Sequence, residues 1–267
     1  MYKRKITTKL EEWKKNDKGK TALLIEGARR VGKTTIIEDF AKNNYESYVI
    51  IDFEKNPQYC EIFEIDKDPS RILFEISIIF KIQIIPRKTL IIFDEVHKCP
   101  DARTAIKYLI EDGKCDYIET GSLLTLMYKN SDLMIPSEEK SLVMNSMDFE
   151  EFLWALGYND VFNLAKEAYL TLKPLSNIIH EKLMSLLRIY MVVGGMPQAI
   201  NAYLDTNDYQ KVDDIQQVIL GLYQKTINKY AGVNASKVAE IFYNIPSQLN
   251  KKNKRYILAS LSKEPKM

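Results

Sequence analysis

Residues 27–34 read GARRVGKT and fit the pattern G-x-x-x-x-G-K-[ST]. No other stretch limits the fold of this chain so tightly. At that spacing, successive backbone N–H groups form a concave nest for an anion, and the positive end of the following helix points at the same place. The geometry needs a strand before the loop and a helix after it. An apolar run at 21–26 (TALLIE) precedes it, and Lys33 to Asn43 reads as a helix stopped by Asn43-Asn44. Gly27 begins the loop, and Gly32 lets the backbone approach a phosphate. Lys33 supplies a cation and Thr34 a hydroxyl for Mg2+. The peptide amides of Ala28, Arg29, Arg30 and Val31 complete the wrap.

The first half of the chain continues the alternation. Tyr48 to Phe53, Thr89 to Phe93 and Asp116 to Thr120 read as strands, with Ser141 to Asn145 as a fifth. Between them lie helices, one capped by Ser70 and running through Phe80, one capped by Asp101 and stopped by Gly113. Almost wholly apolar strands alternating with helices predict a parallel sheet covered on both faces. From about Asp148 the pattern becomes helical, interrupted by Gly194-Gly195 and Pro197. The shift places a boundary near residues 146–150, and the 267 residues are read as 1–146 (sheet core), 147–205 (helical lid) and 206–267 (the helical start of a C-terminal region), the helical part being of lid or winged-helix-like type.

Composition narrows the partners. Lysine plus arginine (38) nearly balances aspartate plus glutamate (36), which argues against whole-protein attraction to nucleic acid or membrane. Only the run Lys251 to Arg255 leaves a local nucleic-acid contact open. Cys60, Cys99 and Cys115 form no CxxC and lie near no ligand cluster, so reduced, inert thiols are expected. The most apolar region, Arg71 to Phe93, is broken by charges and Pro86, and the N-terminus lacks a signal-like apolar stretch. A cytoplasmic protein is expected.

Residues 90–95 read LIIFDE, placing Asp94 and Glu95 at the end of an apolar strand, where open α/β sheets bind ligands. Asp94 suits Mg2+ held through water, and Glu95 suits activation of a hydrolytic water. His97 makes the string DEVH, but a helicase core needs two such domains, so His97 is read as a surface or turn residue. Thr120 ends the next strand, where a polar residue either senses a γ-phosphate or simply opens a Thr-Gly-Ser turn, and the sequence does not separate it from Ser122. The candidate arginine fingers Arg29, Arg30, Arg103 and Arg188 read as surface or structural residues. The Gly194-Gly195-Met196-Pro197 break is either a plain helix junction or a lid turn leaning on the nucleotide. An NKxD-type guanine signal is not found in the right place, which favours ATP.

GARRVGKTT (27–35), LIIFDEVHK (90–98), ETGSLL (119–124), MDFEEFLWALG (147–157) and YMVVGGMPQAI (190–200) together resemble the prokaryotic AAA-type ATPases that carry a DUF4143 C-terminal region. The resemblance implies an ASCE-type P-loop NTPase core with a five-stranded parallel sheet, an added strand separating the two motif-bearing strands. It also implies Gly32, Lys33, Thr34 and Thr35 around phosphates and Mg2+, Asp94 on the metal, and Glu95 as the hydrolytic carboxylate beside Lys33. It brings Thr120 and Pro197 toward the nucleotide. Family members run well past this length, so the resemblance implies a chain truncated in its C-terminal region: a fragment, a frameshifted gene or a short relative.

The expected activity is Mg2+-dependent binding and hydrolysis of ATP, with a homo-oligomer or a protein partner completing the site. The alternative is a nucleotide-loaded switch or scaffold with little turnover, in DNA-linked or defence signalling. A small-molecule kinase fits less well, because a hydrolytic glutamate would waste ATP.

Overall fold

The computed structural model describes residues 1–122 and 137–252. Among these, five strands form one sheet: β1 (Ala22–Gly27), β2 (Ser47–Asp52), β3 (Thr89–Asp94), β4 (Asp116–Ser122) and β5 (Glu139–Met144). Their spatial order is β2-β3-β4-β1-β5, and every neighbouring pair is parallel. β4 therefore stands between the loop strand β1 and the acidic strand β3, as the resemblance implied.

Successive side chains of a strand point to opposite faces, and both faces here are apolar. On β1, Ala22 and Leu24 enter one core while Leu23 and Ile25 enter the other; on β3, Ile91 and Phe93 oppose Leu90 and Ile92. The first core is closed by α3 (Glu61–Glu64), α4 (Pro69–Ile79) and α5 (Pro100–Asp112). The second is closed by α1 (Ile6–Asp17) and α2 (Lys33–Asn44). Burial on both sides explains the nearly unbroken apolar strands.

Two helix starts differ from expectation. Asp68, not Ser70, caps α4: its carboxylate accepts from Ser70 N at 3.4 Å and Arg71 N at 3.2 Å. Pro69 takes the first helical position, where its missing N–H costs nothing. Pro100 likewise opens α5, with Cys99 at the cap, so Asp101 lies inside the first turn and pairs with Lys67 at 2.7 Å. β5 begins at Glu139, two residues before the expected strand. Leu123 and Leu124 of the 119–124 motif, and Asn253 to Arg255 of the basic run, lie outside the described residues.

Beyond Met144 every described element is helical: α6 (Phe149–Ala155), α7 (Val161–Thr171), α8 (Asn177–Val193), α9 (Pro197–Thr206), α10 (Tyr209–Tyr230) and α11 (Ala235–Leu249), with a short 3-10 turn at Gly232–Asn234. Asp148 and Glu151 form a reciprocal capping box that starts α6. Leu153, Leu183 and Leu186 pack α6 against α8. The chain divides into two compact units, Met1–Asp213 and Asp214–Met267. Within the second, Tyr223 and Phe242 stack with centroids 6.3 Å apart. Among the described residues no single helix is long and apolar enough to cross a membrane.

Arg103 is a structural arginine. It pairs with Glu139 at 3.0 Å, both side chains buried, and ties α5 to β5. Cys99 and Cys115 are buried free thiols, and burial pushes the Cys115 thiol up to about 12, in keeping with inert cysteines.

Candidate functional site

The loop after β1 is shaped by its backbone. Gly32 sits at φ +95°, a conformation that favours glycine, and caps α2. Arg30 adopts a left-handed φ of +68°. The Lys33 side chain is buried and folds back across the loop, donating to the carbonyls of Gly27 at 3.0 Å and Ala28 at 3.1 Å. Burial pushes its pKa below the usual lysine value, against the pull of Glu95 and Asp94. An ammonium held at that cost is ready to exchange a carbonyl for a more negative oxygen.

Three parallel strands end together here, bringing residues far apart in sequence into contact. Thr34 Oγ1 donates to the Asp94 carboxylate at 3.1 and 3.2 Å. Thr120, fully buried, does not end β4, which runs two residues further to Ser122; it also donates its hydroxyl to Asp94, and the same oxygen accepts the Glu95 N–H at 3.0 Å. Glu95 stands at φ +55°, ψ +48°, uncommon for a residue with a side chain. Burial raises its pKa above the usual carboxylate value, with Asp94 adding to the rise and Lys33 opposing it. A hydroxyl and a carboxylate are hard oxygen donors of the kind Mg2+ takes alongside phosphates, so this donor set fits that ion.

His97 corrects the sequence expectation. It does lie in a turn, the 3-10 segment Val96–Lys98, but its side chain is fully buried, and Nδ1 approaches Glu95 Oε2 to 3.2 Å. Of the loop arginines, Arg29 reaches Glu54 at 4.0 Å and Arg30 is exposed.

Beside the loop opens a cavity of about 600 Å3, lined by Tyr2, Gly32, Thr35, Met144, Pro197 and Asn201 among others. Pro197 is brought to the loop, since a Cβ built on Gly32 would lie 3.9 Å from its Cγ. The glycine pair explains why. A Cβ on Gly195 would lie 2.0 Å from the Met147 carbonyl, so only glycine permits this approach. Met147 N donates to Gly195 O at 2.8 Å, and Tyr190 Oη donates to Met147 O at 2.9 Å.

Sequence reasoning missed the N-terminal wall. Tyr2 Oη donates to Asn201 Oδ1 across 199 residues. Arg4 is buried, donating to Val31 O at 3.0 Å and Asn145 O at 2.7 Å, with Glu151 at 3.2 Å. Asn201 lies four residues after Pro197 on one helix face, a spacing that carried the signal; nothing comparable marks Tyr2 or Arg4.

Comparison with curated proteins finds no match. Among solved structures, the chain is similar to the Walker-type ATPase PABY2304 of Pyrococcus abyssi, with 15% identity, 93% of this chain and 78% of that one covered, and a TM-score of 0.46. PCH-2 of C. elegans aligns at 13% identity over 84% and 70%, with a TM-score of 0.43. The Aeropyrum pernix ORC1 protein in complex with DNA aligns at 12% over 98% and 81%, with a TM-score of 0.42. Residues 184–265 match a domain of unknown function, DUF8612, which is a different domain from the DUF4143 region that the sequence resemblance implied. Residues 19–153, from just before β1 into α6 and just over half of the chain, match the AAA domain, and the chain belongs to that family of P-loop NTPases.

Proposed function

We propose that the chain binds ATP with Mg2+ at residues 27–35 and hydrolyses it. The observation that carries this reading is the meeting of Lys33, Thr34, Asp94, Glu95 and Thr120 at the ends of three neighbouring parallel strands. Gly27, Ala28, Arg29, Arg30, Val31 and Gly32 wrap the phosphates with their amides, and Lys33 neutralises them. Thr34 and Asp94 would hold Mg2+, which when bound offsets phosphate charge. Thr35 and Pro197 line the 600 Å3 cavity beside the loop, whose size suits a nucleobase and sugar.

Glu95 is the general base. Water attacks the γ-phosphorus, the bond to the β,γ-bridging oxygen breaks, and the water proton passes to the Glu95 carboxylate. Burial raises the pKa of that carboxylate, which makes it a better base than an exposed one. Thr120 holds both Asp94 and the Glu95 amide, and through them it would sense the γ-phosphate. Residues 1–146 serve as the ATPase core and 147–205 as the lid, with 206–267 beyond it.

The test is Glu95→Gln. Calorimetry should register Mg-ATP binding as in the wild type, while phosphate release falls by roughly 100-fold or more. Unchanged turnover removes Glu95 from the mechanism, and no binding heat with wild-type protein removes the nucleotide.

A slower reading, a nucleotide-loaded switch or scaffold, is favoured by one observation: Arg103 is committed to Glu139, away from the loop. A neighbouring copy or a protein partner would then supply the missing charge. Turnover that rises steeply with protein concentration supports that arrangement.

A further inference from the structure

The hydrolytic reading gives His97 no task, yet the fold buries it completely against the proposed base. Desolvating an imidazole costs free energy unless its nitrogens find partners. Here Nδ1 faces Glu95 Oε2 at 3.2 Å. The backbone fixes this proximity. Lys98 N donates to Glu95 O and Cys99 N to Val96 O, each at 2.9 Å, so the Glu95–Cys99 turn is locked at both ends. Glu95 adopts a left-handed backbone conformation at the start of that turn, and its carboxylate reaches the imidazole within it.

We propose that His97 is a positioning residue for Glu95. Its Nδ1–H holds Oε2, which leaves Oε1 to take the proton of the attacking water. Glu95 Oε2 is buried and accepts no hydrogen bond from the described residues, so a neutral imidazole with its proton on Nδ1, 3.2 Å away, would supply the donor that this oxygen lacks. The role rests on the ATPase reading and adds a residue to it: the base is held by a buried neighbour two positions along the chain. The choice of oxygen matters because displacing a reacting group by about 1 Å can cost on the order of 100-fold in rate.

The experiment compares His97→Asn with His97→Gln in the full chain. Both substitutes are polar and of similar bulk, but the asparagine amide nitrogen falls where Nδ1 was and the glutamine nitrogen where Nε2 was. Both variants should bind Mg-ATP within about threefold of wild type. His97→Asn should keep kcat within about threefold, and His97→Gln should lose about tenfold or more. Equal turnover of the two, fast or slow, overturns the proposal, because a role carried by Nδ1 requires a donor at that position. A second readout needs no turnover. The chain has two histidines, His97 and His180. In 15N NMR spectra of imidazole-labelled protein, Glu95→Gln should shift the His97 Nδ1 resonance and leave His180 unmoved; an unmoved His97 signal overturns the contact. A wild-type protein that takes up no Mg-ATP sinks the ATPase reading and this role together. A hydrolysing wild type with indistinguishable Asn and Gln variants sinks this role alone.

Discussion

Replacing Arg4 with methionine removes the side chain that joins the N-terminal segment, the loop after β1 and helix α6. Arg4 and Glu151 face each other at 3.2 Å with side chains only 6% exposed. The guanidinium also donates to Val31 O in the loop and to Asn145 O just after β5. Removing one partner of a buried ion pair costs about 3–5 kcal/mol, because the other charge stays buried. Glu151 is not wholly abandoned: it still accepts from Lys5 N at 2.6 Å and Asp148 N at 3.2 Å. Those donors draw the cost to the lower end, about 3 kcal/mol. At ~2–4 °C per kcal/mol for a unit of this size, Tm should fall by about 6–12 °C. Thermal unfolding followed by circular dichroism reads this directly. A cycle with Glu151→Gln should show coupling of at least ~1 kcal/mol, the double variant losing less than the sum of the singles. Arg4→Met melting within ~2 °C of wild type, or strict additivity, would refute the reasoning. Because Val31 belongs to the loop, Mg-ATP affinity should fall along with Tm.

Gly195→Ala places a methyl 2.0 Å from the Met147 carbonyl, so the turn must open at a cost of about 1–3 kcal/mol. Calorimetry should show weaker Mg-ATP binding as Pro197 leaves the loop; unchanged affinity separates Pro197 from the nucleotide. Thr120→Val strips Asp94 of a donor and orphans the Glu95 N–H, a loss of about 1–3 kcal/mol that Thr120→Ser should largely restore. Phosphate release should drop in the valine variant by about tenfold, and serine failing to rescue it would count against the hydroxyl. Glu119 is fully buried, and burial first, then sharing of its proton with Glu139 and the Glu139 charge, raise its pKa well above the usual carboxylate value, with Arg103 opposing. The unfolded chain releases that proton near pH ~4.3, so above it the folded state binds more protons and stability falls as pH rises, by up to ~1.4 kcal/mol per unit. Urea unfolding should therefore show Glu119→Gln gaining on wild type between about pH 5 and about pH 8, and a gap independent of pH would exclude a raised Glu119.

The residues legible in the sequence are those whose chemistry is local. The phosphate loop needs a fixed spacing within eight residues, and the acidic pair needs only a strand end, so Lys33, Thr34, Asp94 and Glu95 announce themselves. Thr120 was legible as lying near a strand end, though β4 runs on to Ser122, but not as a bridge, because the bridge exists only once β4 lies beside β3. Both cap errors have a local cause. Asp68 and Ser70 are equally good cap residues, and the deciding one is Pro69, whose fixed φ marks the first helical position. Pro100 decides α5 in the same way. Other features are set by distance along the chain. Tyr2 meets Asn201, Arg4 meets Val31, Asn145 and Glu151, and Gly195 meets Met147 only after the sheet and the helices that follow it have packed. His97 falls between the two groups. Its hydrophilic neighbours Glu95 and Lys98 suggest a surface, whereas the left-handed turn at Glu95 folds the imidazole inward. A polar residue in such a turn is hidden from periodicity, which assumes that burial follows a regular repeat. Motifs thus report the groups that would touch the nucleotide, and the side chains that hold those groups in place emerge only from the packed fold.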